Sequence, residues 1–256
     1  MPVIPIRKAP SFSNRDGRHK AGHDIEGSPN HPPLKGRKER LAPFPQRKRN
    51  PMTELSFIHR FEPATDSSRP PLLLLHGTGG DENDLLGLGR TISPGSALLS
   101  PRGKILENGM PRFFRRLAEG VFDEADVKFR ANELADFVTE ARKAYGLEAP
   151  IAVGFSNGAN IAAAMLMLRP DALSGAALLR AMVPLSETPP VDLAGKRVLM
   201  TSGAMDPIIP ADNAKRLAAS LSEAGAEVQH HMLPTGHNLS QTDLQLLVKW
   251  FSEQSR

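Results

Sequence analysis

The chain has 256 residues, 40% of them hydrophobic and 23% charged, and it contains no cysteine. Those proportions suit a globular domain with a full-sized core and exclude a disulfide scaffold, a thiolate metal site and a cysteine nucleophile. The formal net charge of +4 divides unevenly: residues 1–51 hold 12 Lys and Arg against 4 Asp and Glu, while the remainder holds 20 against 24.

The basic character therefore belongs to an extension, and the rest of the chain is mildly acidic. Residues 1–51 also carry nine prolines and almost no apolar periodicity. Such a segment buries too little surface to offset its ordering entropy, so residues 1–52 are predicted to be a disordered extension and residues 53–256 the folded domain. A nucleic-acid role would rest on the extension alone, and none is expected for the folded domain. No apolar run is long enough to span a bilayer, and the N-terminus lacks the apolar stretch of a secretory signal. Together with the missing cysteines, this leads us to expect a cytoplasmic protein.

From residue 53 onward, apolar runs alternate with helical patterns. Strands are predicted at 54–61, 71–76, 97–100, 150–155, 175–180, 197–202 and 227–233. Helices are predicted near 82–90, 123–146, 157–169, 210–224 and 239–253. Runs such as Leu72 to Leu75 and Ile151 to Val153 are apolar at consecutive positions, as strands buried on both faces of a parallel sheet require. The helix at 123–146 places Val127, Ala131, Leu134, Phe137, Val138 and Ala141 on one stripe. The fold class that follows is α/β, a mostly parallel, doubly wound sheet of about seven strands in one domain.

Within this frame, Gly154-Phe-Ser156-Asn-Gly158 lies between a buried-strand pattern and the helical run Ile161 to Leu168. Strand, sharp turn and helix are the context in which a Gly-x-Ser-x-Gly motif lifts a serine hydroxyl above a sheet. The glycines avoid clashes where the backbone crowds, and the helix N-terminus favours a developing negative charge. Upstream, Leu72-Leu-Leu-Leu-His-Gly-Thr-Gly-Gly-Asp81 ends a second strand in a glycine-rich loop. A dinucleotide-binding reading of that loop fails because Glu82 stands where the third glycine belongs. His76 reads as a histidine that fixes the loop.

A serine nucleophile needs a base held by a carboxylate. Beyond Ser156 the histidines are His230, His231 and His237. The first two are adjacent in a strand pattern and point to opposite faces, so they do not converge on a metal. His237 follows Pro234-Thr-Gly236, between the last strand and the last helix. Asp206 lies just past the strand that ends near Ser202, on the same rim of the sheet as Ser156. A lone loop aspartate is more often a turn residue, but Asp192 precedes its strand and Asp212 falls inside the next helix. Pocket walls are weakly specified. Phe113 and Phe114, in a connection long enough to fold over the site, together with Met182 and Ile208, are candidates that ordinary core packing would explain equally well. Arg180, at a strand's carboxyl end, could meet a carboxylate or pair with Glu187.

The segments LLLLHGTGGDEND (72–84), SPRG (100–103), GFSNGANIA (154–162), SGAMDPIIP (202–210) and LPTGH (233–237) resemble the phospholipase/carboxylesterase family of α/β-hydrolases. That family also holds the acyl-protein thioesterases, and the likeness is to its small bacterial carboxylesterases. It covers about residues 54–254 and leaves the basic extension unmatched. The resemblance implies Ser156 as nucleophile, Asp206 as acid, His237 as base, and the backbone N–H groups of Thr78 and Asn157 as an oxyanion hole. His76 is a further candidate beside the substrate, with Phe113, Phe114, Met182 and Ile208; the resemblance implies a small ester substrate and pairing into a homodimer, and triad chemistry needs no metal or other cofactor. Asn157 stands where thioesterases carry Gln, and Thr78 where they carry a bulkier apolar residue, which turns the expectation away from long lipidated-protein substrates. The rival readings are a thioesterase or lysophospholipase and, from another class, a non-catalytic binding protein. The last typically lacks one of the three residues, and here all are present.

Overall fold

A computed structural model describes residues 55–253. The extension predicted for residues 1–52 lies outside the described residues. A seven-stranded sheet forms the frame, with spatial order β1 (His59–Glu62), β3 (Leu98–Pro101), β2 (Leu72–Leu75), β8 (Ile151–Phe155), β9 (Gly175–Leu179), β10 (Arg197–Gly203) and β11 (Glu227–Leu233). Strand β1 runs antiparallel to β3, and every other neighbouring pair is parallel.

The consecutive apolar residues of the central strands divide between the two faces by alternation, as the pleat dictates. Leu73, Leu75, Ala152, Ala176, Leu178, Val198 and Met200 join the core under α2 (Glu124–Tyr145), α3 (Asn157–Leu168) and α4 (Ala211–Glu223). Leu72, Leu74, Ile151, Val153, Ala177, Leu179 and Leu199 face the opposite side, where α1 (Leu86–Ile92) and α5 (Gln241–Ser252) supply Leu86, Ile92, Leu247, Trp250 and Phe251. Leu72 to Leu75 have no exposed surface, so each contributes roughly 1.5–3 kcal/mol by leaving water.

Local chemistry sets the helix ends. The Asp123 side chain caps α2 by accepting from Asp126 N–H at 3.1 Å, and Gly146 closes it in the left-handed conformation at φ 68°. Helix α1 begins later than the sequence pattern predicts. Asp81 Oδ1 accepts from Asn83 N–H at 2.8 Å, folding residues 81–83 into a turn that takes the place of a first helical turn. The first strand is likewise shorter than expected, starting at His59 while Phe57 turns into the main core.

Residues 102–122 are more structured than a plain connection. They form two small hairpins, β4 (Ile105–Glu107) with β5 (Met110–Arg112), and β6 (Arg116–Ala118) with β7 (Val121–Phe122). Their strands are two or three residues long, too short for an alternation pattern to reveal. Among the described residues, no helix is long and apolar enough to cross a membrane.

Candidate active site

Ser156 sits between β8 and α3, at φ 51° and ψ −112°. A non-glycine residue held at positive φ costs roughly 1–3 kcal/mol and persists only where its surroundings fix it. Two features do so. Ser156 N–H donates to the carbonyl of Leu179, the last residue of β9, at 2.8 Å. The flanking glycines also allow backbone to meet backbone: a Cβ on Gly158 would lie 2.0 Å from the Leu75 carbonyl oxygen, and one on Gly154 would lie 2.5 Å from the Gly158 oxygen. The start of α3 therefore rests directly against the end of β2.

Three side chains meet at this rim. His237 Nε2 is 2.9 Å from Ser156 Oγ, and His237 Nδ1 is 2.8 Å from Asp206 Oδ2. An ionised carboxylate only accepts, so Nδ1–H donates to Asp206. The neutral ring then leaves Nε2 to accept the serine proton. The Asp206 side chain is 1% exposed, against 19% for His237, so the carboxylate lies beneath the ring and the imidazole edge faces the solvent side. Asp206 also serves as the turn residue that a lone loop aspartate usually is. Its Oδ1 accepts from the backbone N–H of Ile208 at 2.8 Å and Ile209 at 3.1 Å, which leaves Oδ2 for the imidazole. The Phe155 ring packs on His237 with centroids 5.4 Å apart. Such an arrangement can transfer a proton from the hydroxyl to the imidazole while the buried carboxylate stabilises the imidazolium.

The loop after β2 lies against the same turn. Gly80 N–H donates to the Gly77 carbonyl, and Gly79 N–H donates to the Pro111 carbonyl at 3.0 Å. These bonds shape the loop around Thr78. Asn157 opens α3, where first-turn amides have no partner within the helix. Its side chain is buried, and Oδ1 accepts from Phe113 N–H at 2.7 Å, tying the hairpin segment to the serine turn.

The structure separates the other candidates. His76 is buried, its Nδ1–H donates to the Gly77 carbonyl at 2.7 Å, and its Nε2 accepts from Gly103 N–H at 3.0 Å. Both ring nitrogens are thus committed to backbone. Burial pushes the His76 pKa down, against the upward pull of the Gly77 carbonyl and of Asp84, Asp81 and Glu82. His76 thus fixes the loop through both ring nitrogens. Phe114 has no exposed surface and packs edge-on to Phe122 within the main core. Phe113 is buried with its ring 4.7 Å from that of His76, and Met182 packs with Ile209 and Ala214. Ile208 is 37% exposed beside Asp206.

Three neighbours went unseen in the sequence. Arg112 is buried and donates to Thr78 Oγ1 at 2.8 Å, with Glu107 3.1 Å away. Burial lowers the Arg112 pKa from the usual arginine range, and Glu107 opposes that shift. Met110 lies over the loop after β2: a Cβ on Gly79 would be 3.6 Å from its sulfur. Asp243 takes the carboxylate role left open for Arg180, 2.8 Å away, in place of Glu187. The only sequence signal for it was the Ser240-x-x-Asp243 capping pattern at the start of α5.

Comparison with known proteins places the chain in a family. The phospholipase/carboxylesterase family matches residues 60–254. MhqD of Bacillus subtilis (strain 168) is 45% identical over 197 residues, covering 76% of this chain and 98% of its own. The crystal structure of the Bacillus cereus carboxylesterase is 44% identical with a TM-score of 0.77, covering 79% of this chain and 96% of that one. A carboxylesterase from Mesorhizobium loti is 36% identical with a TM-score of 0.74, over 78% of this chain and 96% of that one. The chain belongs to the phospholipase/carboxylesterase family of α/β-hydrolases and is a carboxylic ester hydrolase.

Proposed function

We propose that this hydrolase cleaves small carboxylic esters through an acyl-enzyme, with Ser156, His237 and Asp206 as its catalytic triad. The observation that carries the reading is the continuous hydrogen-bonded path from Ser156 Oγ through both imidazole nitrogens to Asp206. His237 takes the Ser156 proton as the hydroxyl oxygen attacks the carbonyl carbon. The backbone N–H groups of Thr78 and Asn157 receive the oxyanion, and His237 then protonates the departing alcohol. Water enters, gives its proton to His237, and attacks the acyl-serine to release the acid and restore the hydroxyl.

Residues at the mouth support a small, weakly polar substrate. Met110, Met205 and Ile208 are exposed at 40%, 66% and 37%; Met205 and Ile208 stand on the loop that carries Asp206, and Met110, at the start of β5, lies beside Gly79. Such exposed apolar side chains suit contact with an ester's acyl or alcohol group. Hydrolysis of p-nitrophenyl acetate tests the proposal. Ser156→Ala should lower kcat by roughly 10⁴-fold or more, and a fluorophosphonate probe should label the wild type but not the variant. Wild-type turnover by Ser156→Ala would remove the triad assignment. Comparing oxygen esters with matched thioesters then separates an esterase from a thioesterase.

A further inference from the structure

Arg180 lies immediately beyond β9, at φ 56°, with no exposed surface. Its guanidinium is bound on every side. It forms a fork with Asp243, Nη1 to Oδ1 at 2.8 Å and Nη2 to Oδ2 at 2.9 Å, and Nη1 also reaches the carbonyl and hydroxyl oxygens of Thr201. The remaining donors go to one short loop: Nε to the Gly236 carbonyl at 3.1 Å, and Nη2 to Thr235 Oγ1 at 3.2 Å and the Asn238 carbonyl at 3.0 Å. Residues 235, 236 and 238 bracket His237. The residue just before the arginine, Leu179, accepts the N–H of Ser156. One strand end therefore holds the nucleophile by its backbone and the base loop by its side chain.

We propose that Arg180, with Asp243 as its counterion, is a positioning residue for catalysis, fixing the reach of His237 toward Ser156. This inference rests on the triad reading above. A buried ion pair is a poor way to gain stability, since apolar residues of similar volume often do as well or better. What the pair supplies here is direction, because a planar fork can bind a carboxylate and still aim donors at three points of one loop. Asp243 is equally committed. Oδ1 accepts from Thr201 Oγ at 2.6 Å, and Oδ2 accepts from the backbone N–H and the hydroxyl of Ser240, each at 2.7 Å. The loop that carries the base is thereby fastened to β9, β10 and the first turn of α5.

The test is Arg180→Lys, which keeps the charge opposite Asp243 but lacks the fork. Turnover of p-nitrophenyl acetate is divided by the number of sites that a fluorophosphonate labels at end point, so unfolded protein does not count. A shift of the base on the scale of an ångström should cost about 10–100-fold in kcat, with KM within about twofold. Thr235→Val removes a single acceptor and should cost roughly fivefold in kcat, with KM again unchanged. If Arg180→Lys folds and turns over at the wild-type rate per labelled site while only its melting temperature falls, the pair is structural and the inference fails. If the lysine variant does not fold, Thr235→Val decides: an unchanged kcat overturns the proposal, and a lowered kcat at constant KM supports it. Ser156→Ala serves as the control, because activity surviving in that variant would remove the triad reading itself, whatever the arginine does.

Discussion

Ser156, Asp206 and His237 sit on turns whose main chains are bonded to neighbouring segments, whereas the two hairpins of residues 102–122, though anchored by the buried Arg112, Phe113 and Phe114, also carry partly exposed side-chain ion pairs. In the first region, the contacts are Gly158 against the Leu75 carbonyl, Ser156 N–H to Leu179, Ala204 N–H to Leu233 and Met205 N–H to Thr235. In the second they are Arg116–Glu107 at 2.8 Å, Arg115–Asp123 at 2.9 Å and Lys104–Glu133 at 2.7 Å, with Leu106, Leu117 and Val121 exposed. Backbone contacts leave no rotamers to lose and little room to move, while partly exposed ion pairs contribute about 0.2–1 kcal/mol each and weaken with salt. The difference teaches where change is costly. Geometry at Ser156 is fixed by backbone packing against the sheet, whereas the exposed ion pairs of the hairpins contribute little each.

Several substitutions probe that contrast, beginning with the largest effect. Asp206→Asn should leave the fold intact yet lower kcat by about 10⁴-fold, because an amide that donates to Nδ1 reverses the imidazole tautomer; steady-state kinetics with an aryl ester reads this directly. Gly158→Ala places a methyl 2.0 Å from the Leu75 oxygen, so the serine turn must shift. Denaturant unfolding should show a loss of about 1–3 kcal/mol or more, with kcat falling on the order of 100-fold.

The acid dependence of stability is the next test. Burial alone would raise the Asp243 pKa, but hydrogen bonds from Arg180, Thr201 and Ser240 outweigh it and hold the carboxyl below its ordinary value. A carboxyl with a depressed folded pKa stabilises fully above the unfolded value of about 3.9, and that contribution disappears as the pH falls through the folded value. Melting curves taken below pH 4 should therefore show wild-type stability dropping, with the Asp243 share of that drop absent from Asp243→Asn. At the small end, Leu117→Ser in the second hairpin should change unfolding free energy by less than about 0.5 kcal/mol. Deleting residues 1–52 should leave kcat/KM unchanged, since every group of the proposed site lies between His76 and Asp243. A large loss from either change would erase the distinction between a fixed serine turn and a more permissive surface.

The order of strands and helices was legible because each central strand is apolar at consecutive positions and α2 carries one apolar stripe. Ser156, Asp206 and His237 could be picked out because the chemistry demands those residue types at the carboxyl ends of particular strands. Arg112 and Asp243 were not, because a buried arginine or aspartate reads in sequence like any solvated charge until its partners are in place. Glu107 and Thr78 lie on either side of Arg112 in space, yet five and 34 residues away along the chain. The 102–122 hairpins escaped for a different reason, being too short to show periodicity. The aromatic pair Phe113-Phe114 shows the limit most clearly. Neighbouring identical residues take unlike positions, one against His76 and one inside the main core, according to how the hairpin enters the domain.

The contact of Gly158 with Leu75 has a consequence for how relatives of this enzyme diversify. Because the serine turn rests on peptide groups, whose shape is the same whatever side chains they bear, substitutions at Met110, Met205 or Ile208 can change the surface near the proposed site without displacing Ser156 Oγ. New ester preferences can then arise one surface residue at a time, on a reaction centre that does not have to be rebuilt.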